Sequence, residues 1–243
     1  MVSRISRKGS GQRNREPHHQ RHEVAMVRIA PSIAAGDNGN LSREALRLQE
    51  WGADWIHVDI MDGSFAPNLT FGPAAVKAIR KVVKIPLDCH LMLSDPEILS
   101  EKFLQAGGDF LTVHAEAVDH EKLVRLGKQT KQYGAKLGIA IKPATKLESL
   151  DVDDLDVSLV TVMTVNPGFS GQKFMPEVIP KVAKAREMFG TQTEIEVDGG
   201  VDKSNARMLS EKGATVLVAG NSVFGQADPE SALKELKTLV GDV

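Results

Sequence analysis

Trp55-Ile56-His57-Val58-Asp59-Ile60-Met61-Asp62-Gly63 is a β-branched run that carries two polar residues and stops at a glycine turn. Successive strand side chains point to opposite faces, so His57 and Asp59, two apart, point the same way. The arrangement recurs downstream. His90 closes Pro86-Leu87-Asp88-Cys89-His90-Leu91-Met92, and Asp198 closes Glu194-Ile195-Glu196-Val197-Asp198-Gly199-Gly200.

Outward from this run, short β-branched segments alternate with amphipathic helical stretches from residue 27 onward. The predicted strands are Val27–Ile33, Trp55–Ile60, Leu87–Leu91, Phe110–His114, Lys136–Ile141, Leu159–Val165, Glu194–Val197 and Val216–Ala219. Eight strands, each followed by a helical pattern, predict one (β/α)8 TIM barrel of α/β class over residues 26–243. An open doubly wound sheet of similar length is the runner-up. Gly52-Ala53, Gly107-Gly108, Gly134-Ala135 and Gly213-Ala214 each stand just before a strand. Glycine there ends a helix in the left-handed conformation, and four stops at one phase of the unit argue for repeated βα units.

The 243 residues, 42% of them hydrophobic, suffice for a full core. A net charge of −2 gives no reason to expect nucleic acid as a partner. No apolar run of about 18 residues exists, so no membrane span is expected. Cys89 is the only cysteine, which excludes an intramolecular disulfide and fits a reducing, cytoplasmic setting. Residues 1–25 are different in kind: Arg4, Arg7, Lys8, Arg13, Arg15 and Arg21 face only Glu16 and Glu23. With so few apolar groups this segment is read as a disordered basic arm. A cleaved organellar transit peptide is the alternative, although no amphipathic apolar face is visible.

Reactive side chains of such barrels gather at the C-terminal ends of the strands. His57, Asp59, His90 and Asp198 all fall there. A lone strand-end His or Asp is usually a satisfied polar residue, but four at one barrel mouth argue for a site. Two imidazoles and two carboxylates suit one divalent metal such as Zn, Fe(II), Co or Mn. The same carboxylates could move protons on either side of a bound substrate.

The late loops add an anion site. Asn166-Pro167-Gly168-Phe169-Ser170-Gly171 follows the sixth strand, Gly199-Gly200 the seventh and Gly220-Asn221-Ser222 the eighth. Glycines there let backbone N–H groups turn toward a phosphate. Asp62 to Pro73 forms a long Gly/Pro-bearing loop that suits a water-excluding lid. Met61, Met92 and Met163 fall at strand ends, where soft sulfur could line the mouth. Lys142 is read as a rim lysine and Cys89 as a packing residue facing the helices.

These motifs resemble the ribulose-phosphate 3-epimerase family. The resemblance rests on Ala30-Pro31-Ser32, Trp55 through Gly63, Pro67-Asn68, Asp88 through Met92, Val162 through Phe169, Gly171-Gln172 and Glu194 through Gly200, in order and spacing, from about Arg28 to Gly225. It implies an isomerase of the pentose phosphate pathway that interconverts D-ribulose 5-phosphate and D-xylulose 5-phosphate through an enediolate. It further implies that His57, Asp59, His90 and Asp198 hold the metal, with Asp59 and Asp198 as the catalytic proton acceptor and donor. Ser32, His90, Asp198 and the loops carrying Gly168, Phe169, Ser170, Gly171, Gly199, Gly200, Gly220 and Asn221 would hold the sugar phosphate. A homo-oligomer is the implied assembly.

The chain departs from the family pattern in three places: the run Ile33 to Asn40 in the first loop, Ser64 and Ala66 in the lid, and Asn221 where a serine is common. Three other readings compete. An allulose-6-phosphate 3-epimerase would tend to carry Asp-Pro-Gly where this chain has Asn166-Pro167-Gly168. A sugar-phosphate lyase of related fold would need an Asp-x-Lys-x-x-Asp array, and Asp59-Ile60-Met61-Asp62 has no lysine. A non-catalytic sugar-phosphate-binding paralogue would usually have lost a ligand or a carboxylate, and none is lost here.

Overall fold

Period-two burial decides where every strand residue goes. A computed structural model describes residues 26–152 and 154–241, so the basic arm expected over 1–25 lies outside the described residues. The strands are β1 (Arg28–Pro31), β2 (Ile56–Met61), β3 (Leu87–Met92), β4 (Phe110–His114), β5 (Lys136–Ile141), β6 (Val157–Met163), β7 (Glu194–Asp198) and β8 (Val216–Ala219). Parallel ladders join β2 through β8 in sequence order, and β8 pairs in turn with β1. The seam between β1 and β2 is closed by a parallel bridge from Ser32 to His57. Below it, Asp54 N donates to Ile29 O at 3.1 Å, while Asp54 Oδ2 accepts from Ile29 N at 2.9 Å. The predicted TIM barrel is the architecture observed.

The helices α1 (Leu41–Glu50), α2 (Pro73–Arg80), α3 (Glu97–Ala106), α4 (His120–Gln132), α5 (Ile179–Phe189), α6 (Ala206–Glu211), α7 (Asn221–Phe224) and α8 (Pro229–Gly241) surround the barrel. Outward strand residues such as Ile56, Val58, Leu91, Val113, Ile139 and Val197 are buried against them. Cys89 lies in this layer as expected, and burial pushes its thiol far above the usual range. Gly52, Gly107, Gly134 and Gly213 have φ of 89°, 103°, 68° and 100°, the left-handed stops expected of them.

Inward residues form layers two residues apart along each strand. The floor is apolar: Ala30, Trp55, Phe110, Leu159 and Val216 cluster, with the Trp55 and Phe110 rings 4.5 Å apart. The next layer is polar and fully buried, comprising His57, Asp88, Thr112, Thr161 and Glu196. Branched apolar residues usually fill that space. This barrel is built around charge.

The structure differs from the sequence reading between β5 and β6 and at several strand ends, including β1, which runs from Arg28 to Pro31 and not from Val27 to Ile33. Among the described residues, β5 and β6 are joined by a 3-10 turn at Leu147–Ser149 with no α-helix between them. Asp151, Asp154 and Asp156 are poor interior helix formers that compete for backbone N–H groups, which explains the failure. Strand β6 also runs from Val157 to Met163, two residues earlier than expected at both ends. Thr164 N completes the ladder by donating to Asp198 O at 2.7 Å, and its hydroxyl donates to Gly199 O at 2.5 Å, at the turn that follows β7. No described helix is long and apolar enough to cross a membrane.

Candidate active site

Register brings the four strand-end residues together. Asp59 pairs with His90 across β2 and β3, and Met163 pairs with Asp198 across β6 and β7. His57 Nε2 lies 3.1 Å from His90 Nδ1. Asp59 Oδ1 is 3.3 Å from the first of these nitrogens and 3.4 Å from the second. Asp198 Oδ2 lies 3.8 and 3.6 Å from the same two atoms. Donors held about 2.0–2.2 Å from one ion are separated by roughly 3.3–3.6 Å. The spacing therefore fits a single divalent cation.

Charge points the same way. The far nitrogen of His57, Nδ1, lies 2.8 Å from Asp88 Oδ2, and that of His90, Nε2, lies 2.9 Å from His114 Nε2. With those far nitrogens protonated, both near nitrogens turn lone pairs toward two carboxylates. Such a set of acceptors could hold a cation at its centre. Burial penalises the charged form of His57, yet with no cation between them Asp59, Glu196 and Asp88 outweigh it and hold His57 well above the usual histidine range, so a bound cation would take the place of the proton on Nε2. Burial works against Asp59 too, but His57 and His90 hold its carboxyl far below the usual range. Asp198 is raised, first by burial and then by the charge of Asp59. Ser32 Oγ donates to Asp59 Oδ2 at 2.5 Å. Two neighbouring carboxyls pushed in opposite directions are suited to base and acid work in one site.

Several polar residues of the site were not singled out in the sequence. Asp88 and Glu196 lie below the tetrad, where Thr112 Oγ1 donates to Asp88 Oδ1 at 2.6 Å and Thr161 Oγ1 to Glu196 Oε1 at 2.8 Å. The signal for both was present, since Asp88-x-His90 and Glu196-x-Asp198 repeat the spacing of His57-x-Asp59. Burial and the nearby Asp88 carboxylate raise Glu196 above the usual range. His114, at the end of β4, is buried and in contact with His90. Its strand-end position was the available clue.

Above the tetrad opens a cavity of about 1310 Å3, bordered by Asp59 and Asp198 but not by the buried imidazoles. Ser32, Met61, Met92 and Met163 line it, as do Gly168, Phe169, Ser170, Gly171, Gly199, Gly200, Gly220 and Asn221. Gly199 has φ of 121°, and a Cβ there would lie 2.6 Å from Val165 Cγ2 and 2.8 Å from its backbone nitrogen. Only glycine lets the loops after β6 and β7 approach so closely. Ser222, which follows Asn221, also lines the cavity with a buried hydroxyl that has no partner.

The expected lid crosses this cavity. Asp62 anchors its base by accepting from Ser64 N, Phe65 N, Ser94 N and Ser94 Oγ at 2.7–2.9 Å. Asn68 Nδ2 donates to Gly168 O at 3.1 Å, linking the lid to the loop after β6. Ala66 is buried within the lid and Ser64 is exposed. Lys142 does lie at the rim, with Nζ 3.8 Å from the Phe65 ring centroid. The first loop is ordered as two 3-10 turns at Ile33–Ala35 and Asn38–Asn40.

Known proteins share both the sequence and the fold. The profile described as the ribulose-phosphate 3 epimerase family matches residues 28–224. The ribulose-phosphate 3-epimerase of Bacillus subtilis (strain 168) is 44% identical over 218 residues, 87% of this chain and 99% of the relative. The chloroplastic ribulose-5-phosphate-3-epimerase of Arabidopsis thaliana is 42% identical over 89% of this chain and 78% of its own length. The cytoplasmic isoform of Oryza sativa subsp. japonica is also 42% identical, covering 89% of this chain and 96% of the relative. Among solved structures, KGPDC from Streptococcus mutans superposes with a TM-score of 0.71 at 12% identity, covering 90% of this chain and 99% of its own. That likeness concerns the fold alone. The sequence matches, over nearly all of the barrel, place this chain in the ribulose-phosphate 3-epimerase family.

Proposed function

We propose that the chain interconverts D-ribulose 5-phosphate and D-xylulose 5-phosphate by moving a proton at C3. The observation that carries this reading is one site in which two aspartates, one from β2 and one from β7, reach the same imidazole pair. One carboxylate removes the C3 proton from one face of the substrate, and the other carboxyl returns a proton to the opposite face, which inverts the centre. Each positioned acid or base contributes about 10²–10⁴ in rate. Ser32, donating to Asp59, orients that carboxylate.

His57, His90, Asp59 and Asp198 would hold one divalent cation, with Zn, Fe(II), Co and Mn all compatible with the donor set. When bound, such a cation supplies Lewis-acid stabilisation of the enediolate charge, an effect of several kcal/mol. The phosphate rests on the glycine loops around Gly168 to Gly171, Gly199-Gly200 and Gly220-Asn221, and the unpartnered Ser222 hydroxyl is available to one of its oxygens. Met61, Met92 and Met163 line the reacting end with groups that do not hydrogen-bond strongly. The lid, tied to Gly168 by Asn68, excludes water from the carbanionic species.

We read the barrel over 26–243 as one catalytic domain, in a cytoplasmic homo-oligomer, with the arm over 1–25 outside it. Light scattering checks the assembly. The decisive experiment is a coupled assay on the metal-reconstituted protein with D-ribulose 5-phosphate, alongside Asp59→Asn and Asp198→Asn. Turnover in the native chain and a loss of about 10²-fold or more in each variant, both still folded, is the expected outcome. Native-like turnover in either variant would overturn the two-carboxylate scheme, and activity only on a six-carbon ketose phosphate would overturn the pentulose assignment.

A further inference from the structure

Through His114, His90 is joined by hydrogen bonds to Glu116 and the loop after β5, and by ring packing to the lid. Its Nδ1 faces His57 Nε2 at 3.1 Å, inside the tetrad, and its Nε2 lies 2.9 Å from Nε2 of His114. The two rings stack with an interplanar angle of 24°. The far nitrogen of His114, Nδ1, lies 3.0 Å from Oε2 of Glu116. The other oxygen of Glu116 is already taken, accepting from Lys142 N at 2.8 Å and from Thr145 Oγ1 in the loop after β5. On the lid side, Phe65 packs its ring 4.6 Å from that of His114.

With His114 neutral, hydrogen-bond chemistry allows one order of protons along this row. A carboxylate only accepts, so His114 Nδ1 must carry the hydrogen that faces Glu116. A neutral imidazole protonated at Nδ1 presents a lone pair at Nε2. His90 must therefore donate from its own Nε2, which leaves His90 Nδ1 as a lone pair aimed into the tetrad. We propose that Glu116 and His114 are positioning residues that fix the tautomer and ring orientation of His90 as a metal ligand, and that they tie this ligand to the lid and to the loop after β5. This rests on the metal-site reading given above. Outer partners that orient ligating histidines typically contribute 10–100-fold in metal affinity.

Glu116→Gln is the informative change. A neutral amide has one acceptor oxygen, which cannot serve both His114 and the loop donors. Two measurements on the full chain separate the possibilities. Nitrogen-15 NMR of histidine-labelled, metal-free protein reads the tautomers, and chelator competition reads the affinity for Co(II). The expected result is His114 as Nδ1–H and His90 as Nε2–H in the native chain. Glu116→Gln should mix the His114 tautomers and weaken Co(II) binding about 10–100-fold, with the metal-free unfolding midpoint close to native. In a His114→Gln background, adding Glu116→Gln should cost no more than a further twofold. His114 protonated at Nε2 in the native chain would overturn the proposal, as would Co(II) affinity within twofold of native in Glu116→Gln. Should that variant fail to fold, the native spectrum decides. Asp198→Asn distinguishes the two readings: native Co(II) affinity in that variant would sink the metal site, while the tautomers still judge the relay.

Discussion

At the scale of single residues, the barrel interior leaves little freedom. Thr112 Oγ1 holds Asp88, and Asp88 faces His57. Gly138, on β5, lies directly across from Thr112 in register. A Cβ on Gly138 would overlap Thr112 Oγ1 and stand 3.2 Å from Thr112 Cα, so backbone as well as side chain would have to move. Gly138→Ala should therefore destabilise the protein by about 1–3 kcal/mol, the usual cost of overpacking a filled core. Urea unfolding measures this, and an unchanged midpoint would show that the polar layer yields more easily than its packing implies. The same substitution should weaken metal binding, because the displaced threonine is the one that holds Asp88.

At the scale of elements, the lid stays in place through one carboxylate. Burial is the largest single influence on Asp62 and raises its pKa. The Ser94 amide and hydroxyl and the amides of Phe65 and Ser64 outweigh that and hold it well below its ordinary value of 3.8. A carboxyl whose folded pKa is depressed contributes stability that is present above its unfolded pKa and lost as pH falls below it. The lid-anchoring contribution should thus be complete at neutral pH and fade on acidification below about pH 4. Asp62→Asn should lower the unfolding midpoint at pH 7, and the gap to the native chain should close as the buffer is acidified below pH 4. A gap that stays constant with pH would mean that the loop is held by packing and not by this charge. The neighbouring connection between β5 and β6 illustrates the opposite case, since its aspartates prevent a helix.

At the scale of the whole molecule, closure depends on the seam where the first strand meets the second. No full ladder joins β1 to β2, and Asp54 substitutes for one. It accepts from Ile29 N, donates its own amide to Ile29 O, and pairs with Lys237 Nζ on α8 at 2.7 Å. One side chain thus ties both ends of the barrel chain to the seam. Asp54→Ala should destabilise the fold by about 1–3 kcal/mol, as expected when a buried backbone donor loses a charged partner. Hydrogen exchange at Ile29 should accelerate more than at Leu217 on β8, and equal protection in both would place the weak point elsewhere.

Much of this protein can be read directly from its residues. Period-two alternation, the glycine stops and the repeated strand-end polar residues determined the barrel, and alternation alone put His57 and Asp59 on one face because strand geometry is local. The same rule applied to Asp88-x-His90 and Glu196-x-Asp198 contains the polar layer beneath the site. Other features depend on which strands become neighbours. The contact of His90 with His114, the pairing of His114 with Glu116, the closeness of Gly199 to Val165 and the divergent ionisation of Asp59 and Asp198 all join residues far apart in the chain. Distance and burial set those interactions, and neither exists until the barrel has closed. Sequence placed the two imidazoles and the two carboxylates at strand ends, and the tertiary structure decided their protonation, because a pKa answers to the desolvation and charges that folding assembles around it.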